Sequence, residues 1–560
     1  MLQKIISKIE EYPLTIPQFL LAFSAIIALR MLGENLLSGL AGRSLELFIS
    51  SVLAAYLFFL FAYLVTLIFL MFYLHEPAKR LANVLLWGYF LVIFPPLIDK
   101  IWCGQNFCWS FYAFDSLRGL GQRFLTFFGS NASIGITYGV RVEVALAIVF
   151  LMIYIFLKTK KALKSFLGGL IAYVILFVLG SFPSWLTFII LSPARRITAV
   201  EGFDVAGLFL SPARYFSVES ADILNALNVK MNLIYAFLLV PLAIFFFWVY
   251  PVKSADEVGG AAKPRFNRAG KFWAVAKNIR WIQIMIHAGL ILFGAGLGAF
   301  YFPKNITIDV FSFFALSNLI LAAVFAWMAS VFLNDIADLE ADKITNVKRP
   351  LVTGEFSADG YRQLFWASFA LSLVLGLTVG VKFFLLVLTY QIIGWVYSCW
   401  PFRLKRFPLV AGFLSALNLT LLFVSGFILL ADNQDISQVP AKVFWLIIVA
   451  FVLSLPIKDL KDIEGDRKNG IWTIPALLGE TWARFLIGLG IFISYSLSVV
   501  WLNAKILFLP AMILGAASFW ILQNKKILPR RVHIWVFGLL FVYVILMAYL
   551  VFWPVMRLGF

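Results

Sequence analysis

The chain has 560 residues, of which 62% are hydrophobic and 13% charged, and its formal net charge is +18. This balance excludes a disordered chain, which needs low hydrophobicity, and a soluble globular enzyme, which could not cover so much apolar surface. It predicts an all-α polytopic membrane protein whose surplus Lys and Arg lie in positive-inside loops, with no nucleic acid as partner.

In chain order, Met1–Thr15 mixes Lys4, Lys8, Glu10 and Glu11 without a small-residue cleavage site, and reads as the approach to a first anchor helix. Apolar stretches able to span follow near 16–37, 47–74, 80–101, 140–157, 165–191 and 230–250. They define an N-terminal transmembrane domain, 1–250, that matches no motif. Within it, Arg30 and Glu34 stand i, i+4 and can pair. Asp99 follows Pro95-Pro96, which should kink or end its helix, and Arg141 and Glu143 start the fourth span. Such charges read either as snorkelling and pairing near span ends or as function, here an accessory domain that delivers a lipid substrate or holds a partner. Cys103 and Cys108 share a polar loop and form either a disulfide or two free thiols. With no CxxC or HExxH spacing, a zinc site is not expected. The loop 192–228 contains Leu-Ser-Pro-Ala-Arg twice, from Leu191 and from Leu210, as a chance duplication or a re-entrant pair.

Residues 251–280 carry Lys253, Lys263, Arg265, Arg268, Lys271, Lys277 and Arg280, a basic cytoplasmic linker. Nine further spans fit a second domain, 281–560, near 281–302, 308–333, 361–380, 382–399, 409–431, 442–457, 482–502, 505–522 and 533–554. With the linker inside, the loops after the second, fourth, sixth and eighth of these are cytoplasmic. Those loops are also the basic ones, and a prokaryotic cell membrane is the expected location.

Eight of the 28 acidic residues fall in two runs of this domain, Asn334–Asp342 and Lys458–Asp466. Asp335, Asp338 and Asp342 sit at i, i+3 and i+7, and Asp459, Asp462 and Asp466 repeat that spacing. On a helix at about 100° per residue each trio lies within roughly 60° of one face. Three carboxylates in a row repel one another and need a counter-charge. Mg²⁺ suits carboxylate oxygen and commonly bridges one or two carboxylates to a substrate's phosphates. Lys348, Arg349, Lys458, Arg403 and Lys405 surround the runs as anion contacts or as ordinary positive-inside charge. Lys343, Arg406 and Lys468 read as the latter.

These residues resemble the UbiA family of intramembrane prenyltransferases over about 271–553. The first run, followed by Lys348-Arg349-Pro350-Leu351 and Gly354, is similar to the family's NDxxDxxxD and RPxxxG motifs. The second is similar to DxxDxEGD, continuing through Gly470, Thr473, Pro475 and Gly479, with Tyr397-Ser398, Pro401, Arg403, Lys405 and Arg406 between them. The resemblance implies a nine-helix bundle in which Mg²⁺, held by Asp335, Asp338, Asp342, Asp459, Asp462 and Asp466 with Asn334, grips a prenyl diphosphate at the cytoplasmic mouth. Arg403 and Lys405 would contact the diphosphate, Lys348, Arg349 and Lys458 would add charge, and Tyr397 would orient an oxygen or shield the allylic cation. The lipophilic acceptor would be an aromatic quinone precursor or a glycerol-phosphate lipid; the short spacer from Asp342 to Arg349 resembles those members. The alternative is a non-catalytic transporter or membrane scaffold that keeps the bundle, although nothing structural then requires six aspartates.

Overall fold

A computed structural model describes residues 2–37, 44–103, 112–129, 136–249, 278–461, 463–468, 470 and 472–552. Most of the basic linker, Cys108, the Cys103 side chain and Asp462 lie outside the described residues, as do the side chains of Asp466 and Lys468. Among the described residues, 15 helices are long and apolar enough to cross a membrane, six before residue 250 and nine after residue 280. The chain is an all-α polytopic membrane protein. It divides into two compact units, Met1–Arg214 with Glu219–Phe246, and Tyr215–Val218 with Phe247–Phe560.

In the first unit the stretch expected as one span at 165–191 is two helices, Ala162–Gly180 and Phe182–Leu191. Pro183 opens the second and cannot donate back into the first, while Ser181 Oγ turns onto the Phe177 carbonyl at 2.7 Å. The duplicated Leu-Ser-Pro-Ala-Arg also acquires a meaning. Leu191 ends one helix and Leu210 ends another, Gly202–Leu210, so each copy stops a helix ahead of a proline. The last two residues of the second copy open a short strand, Ala213–Tyr215. Two of the charges that the sequence places in this unit are hydrogen-bonded to neutral groups. Asp99 accepts from Thr137 Oγ1 at 2.6 Å and from the Gly139 amide at 2.7 Å, and Arg141 donates to the Gly129 carbonyl at 2.6 Å.

In the second unit two helices meet without side chains between them. A Cβ on Gly294 of Trp281–Tyr301 would stand 2.0 Å from the Phe423 carbonyl oxygen, on Pro408–Ile428. A Cβ on Gly426 would stand 2.0 Å from the Ile291 carbonyl oxygen. In lipid, where the hydrophobic effect between helices is weak, small residues that let backbones approach supply the packing energy. A Cβ on Gly298 would stand 2.7 Å from the Phe427 carbonyl oxygen, so Gly294 faces Phe423 and Gly298 faces Phe427, and the two helices run in the same direction, as parity requires of the first and fifth spans.

The helices that carry the acidic runs are placed by their caps. Val310–Ala337 starts at Asp309, whose carboxylate accepts the Ser312 amide at 2.6 Å, and lies along Ala358–Val379. Ser357 caps the latter by accepting the Gly360 amide at 3.1 Å. Ser357→Ala removes that bond, so a loss of about 1 kcal/mol is expected; thermal unfolding in detergent checks it, with Ser357→Asp expected to keep the wild-type midpoint.

Candidate active site

The first acidic run does not ride one helix, as its spacing predicts. Val310–Ala337 ends, Asp338 adopts φ −104° and ψ 11°, and a short helix Leu339–Thr345 follows. The break turns Asp338 away from its two neighbours in the motif. Asp335 is 1% exposed, and Arg349 Nη1 donates to its Oδ1 at 2.8 Å and also to Asp342 Oδ2. Asp338 faces a different pair of cations. Lys405 Nζ bonds its Oδ2, and Arg403 Nη2 donates to its Oδ1 at 3.1 Å. The same Lys405 nitrogen reaches Asn334 Oδ1 at 3.3 Å, where Ser398 Oγ also donates at 3.2 Å.

Among the described residues no three carboxylates gather into one cluster. The expected metal-binding trio is instead drawn into two carboxylate–cation groups, one centred on Arg349 and one on Lys405. Burial pushes the Lys405 ammonium below its ordinary pKa, with Asp338 opposing. Burial likewise raises the Asp342 carboxyl, with Arg349 opposing. Both shifts penalise the charged form, because this rim of the bundle is poorly solvated.

The second run starts on a 3₁₀ helix, Leu455–Lys461, and continues on Ile463–Lys468. The latter lies beside Leu339–Thr345, so the fold brings the two acidic runs together. Lys458 and Asp459 are half-buried there. The residues after each run keep the motifs in shape. Gly354 takes φ +77° and Gly479 φ +76°, which L side chains adopt only at a cost. Thr473 caps Ile474–Trp501 by accepting the Ala476 amide at 3.3 Å.

Three residues outside the motifs complete the first group. Asn278 Nδ2 donates to Asp335 Oδ2 at 2.6 Å and to the Tyr361 hydroxyl at 3.2 Å. Arg280 Nη2 stands 4.0 Å from Asp335 Oδ1. A lone Asn in a basic stretch and a Tyr in an apolar span carry no sequence signal; Arg280 was readable only as linker charge. Tyr397 is half-buried in Val381–Ser398 and Lys348 is exposed; neither side chain bonds a carboxylate of the runs among the described residues. Lys343 pairs with the exposed Glu340 at 2.7 Å, and Arg406 stacks over Phe407.

Residues 291–537 match the model of the UbiA prenyltransferase family, whereas the N-terminal half matches no family. A digeranylgeranylglyceryl phosphate synthase of Sulfolobus acidocaldarius is 31% identical over 29% of this chain and 58% of its own length. The homogentisate phytyltransferase of a Synechocystis species is 30% identical over 35% of this chain and 70% of its own. A solved UbiA homolog from Archaeoglobus fulgidus bound to GPP and Mg²⁺ aligns with 48% of this chain and 96% of its own, at 20% identity and a TM-score of 0.39. The relatives are named as prenyltransferases, and the motifs that resemble theirs lie on adjoining helices. The chain belongs to the UbiA prenyltransferase family.

Proposed function

We propose that the second unit transfers a prenyl group from an isoprenoid diphosphate to a lipophilic acceptor, using Mg²⁺, at the cytoplasmic face of a cell membrane. The observation that supports this most is the convergence of carboxylate and amide oxygens on single cationic nitrogens, beside the helix of the second acidic run. Arg349 Nη1 bridges Asp335 and Asp342, and Lys405 Nζ bridges Asn334 and Asp338.

The donor set fits Mg²⁺. The ion is hard, takes carboxylate and amide oxygen, and is usually held by one or two carboxylates with water and phosphate completing the shell. Each bridged pair of oxygens is such a partial set. Asp335, Asp338 and Asp342 with Asn334 would hold metal on one side, and Asp459, Asp462 and Asp466 on the other. Bound there, Mg²⁺ would neutralise charge building on the departing diphosphate.

The chain's own groups do the rest. Arg349, Arg403 and Lys405 already point charged donors at the carboxylates, and the same donors suit phosphate oxygens. Lys348 and Lys458 add positive charge around the mouth. Asn278 donates to Asp335, and the Tyr361 hydroxyl accepts from the same Asn278 amide. Tyr397, at the rim end of its helix, presents an aromatic face able to shield an allylic cation. When the allylic C–O bond breaks, the diphosphate leaves with the electron pair. The acceptor then bonds to the prenyl carbon and loses a proton.

The relatives' names supply two acceptor classes, homogentisate and a geranylgeranylglyceryl phosphate. The test incubates purified protein with geranylgeranyl diphosphate, Mg²⁺ and each acceptor in turn. Pyrophosphate release together with one prenylated product is the expected result, abolished by EDTA and restored by Mg²⁺. Release that survives chelation would overturn the metal's role, and a lack of product with every acceptor would favour the scaffold.

A further inference from the structure

The first unit contains a partly open pocket of about 310 Å³, inside the size range of small-ligand sites. Its walls are mostly apolar and include Phe58, Val144, Ala147 and Leu176. At one place they carry three ionisable groups, Arg30, Glu34 and Glu143. Arg30 is 5% exposed. Its Nη1 donates to the Val92 carbonyl at 2.8 Å and to Glu143 Oε2 at 3.1 Å, while its Nε lies 3.9 Å from Glu34 Oε2. The guanidinium also faces the Phe59 ring at 5.1 Å.

Ionisable groups are expensive in a membrane-spanning unit, and those kept there face an interior cavity and mark a ligand path. The cluster's charge selects the ligand. Two carboxylates around one guanidinium leave no surplus positive charge, so a phosphate or diphosphate head is repelled. What remains is a neutral head that both donates and accepts. A hydroxyl does this, giving its proton to a carboxylate and accepting from Arg30, whose Nη2 has no protein partner among the described residues. The apolar walls take a hydrocarbon chain.

We propose that the first unit binds a neutral lipid bearing a hydroxyl group, with its chain in this cavity and its hydroxyl on Arg30 and Glu143. The site shares no residue with the acidic runs and does not depend on the reaction proposed for them.

The test uses a diazirine-bearing geranylgeraniol as photoprobe on the full-length protein in detergent, with labelled peptides mapped by mass spectrometry. Labelling is expected on the helices Leu45–Leu74 and Tyr138–Thr159, which contribute cavity walls. Unlabelled geranylgeraniol should compete about tenfold better than its methyl ether or geranylgeranyl diphosphate, the size of one buried hydrogen bond lost. Glu143→Gln should erase that preference for alcohol over ether. Ala147→Trp fills the cavity while leaving the charges intact, so it should abolish labelling with the melting temperature unchanged. Equal competition by the ether would reduce the cavity to a nonspecific lipid space and overturn the proposal. So would labelling that persists in the folded Ala147→Trp protein, or stronger competition by the diphosphate.

Discussion

Asp335→Ala is expected to lower pyrophosphate release from a prenyl diphosphate by about two to three orders of magnitude, the scale on which a buried charge at a reacting phosphate contributes. Its side chain is 1% exposed and receives Arg349 and Asn278, with Arg280 close by. Removing the carboxylate takes one half of the oxygen pair bridged by Arg349 and leaves that cation with Asp342 alone. Asp335→Asn keeps the shape and loses only the charge, so it separates metal binding from folding and should fall nearly as far. Asp459→Ala should match it if both runs act on one diphosphate. Glu340 supplies the internal control. It belongs to the same acidic run but is exposed and pairs with Lys343, so Glu340→Ala should stay within about threefold of wild type. Equal rates for Asp335→Asn and wild type would remove this aspartate from the site.

Gly294→Ala is expected to destabilise the protein by about 3 kcal/mol or to prevent folding, whereas Gly296→Ala, two residues on, should be neutral or stabilising. Both sites lie on Trp281–Tyr301. The new methyl at 294 would meet the Phe423 carbonyl oxygen at 2.0 Å, and a backbone atom cannot rotate aside. At 296 nothing stands within 4 Å of the new Cβ, and alanine favours the helix by about 1 kcal/mol over glycine. Melting temperatures of the two variants in detergent decide the matter. Matching midpoints would show that the helices do not touch at Gly294.

The spans were legible because a bilayer demands roughly 20 apolar residues, and stretches of that length, such as 47–74, recur along the sequence. The acidic runs were legible because carboxylates are costly at an apolar rim, so two matched trios stand out. Their local geometry was not. An i, i+3, i+7 spacing suits an unbroken helix as well as a helix that stops at Ala337, and only packing decides between them. Asn278 and Tyr361 were invisible for a different reason: Asn278 bonds both Asp335 and the Tyr361 hydroxyl only because the fold brings together residues 57 and 83 positions away from it. In the first unit Arg30 and Glu34 suggested a pair along one helix. The shorter contact is to Glu143, 113 residues away, which local spacing could not show.

The end of the long helix at Ala337 also sets up a field. Aligned peptide dipoles give a helix C-terminus a negative pole of roughly half an elementary charge. In Val310–Ala337 that pole lies where Lys405 and Arg403 meet Asp338. Main chain and side chain therefore attract cations to the same spot. A neutral amide at position 338 would weaken the hold on Lys405 without leaving the ammonium against an uncharged wall.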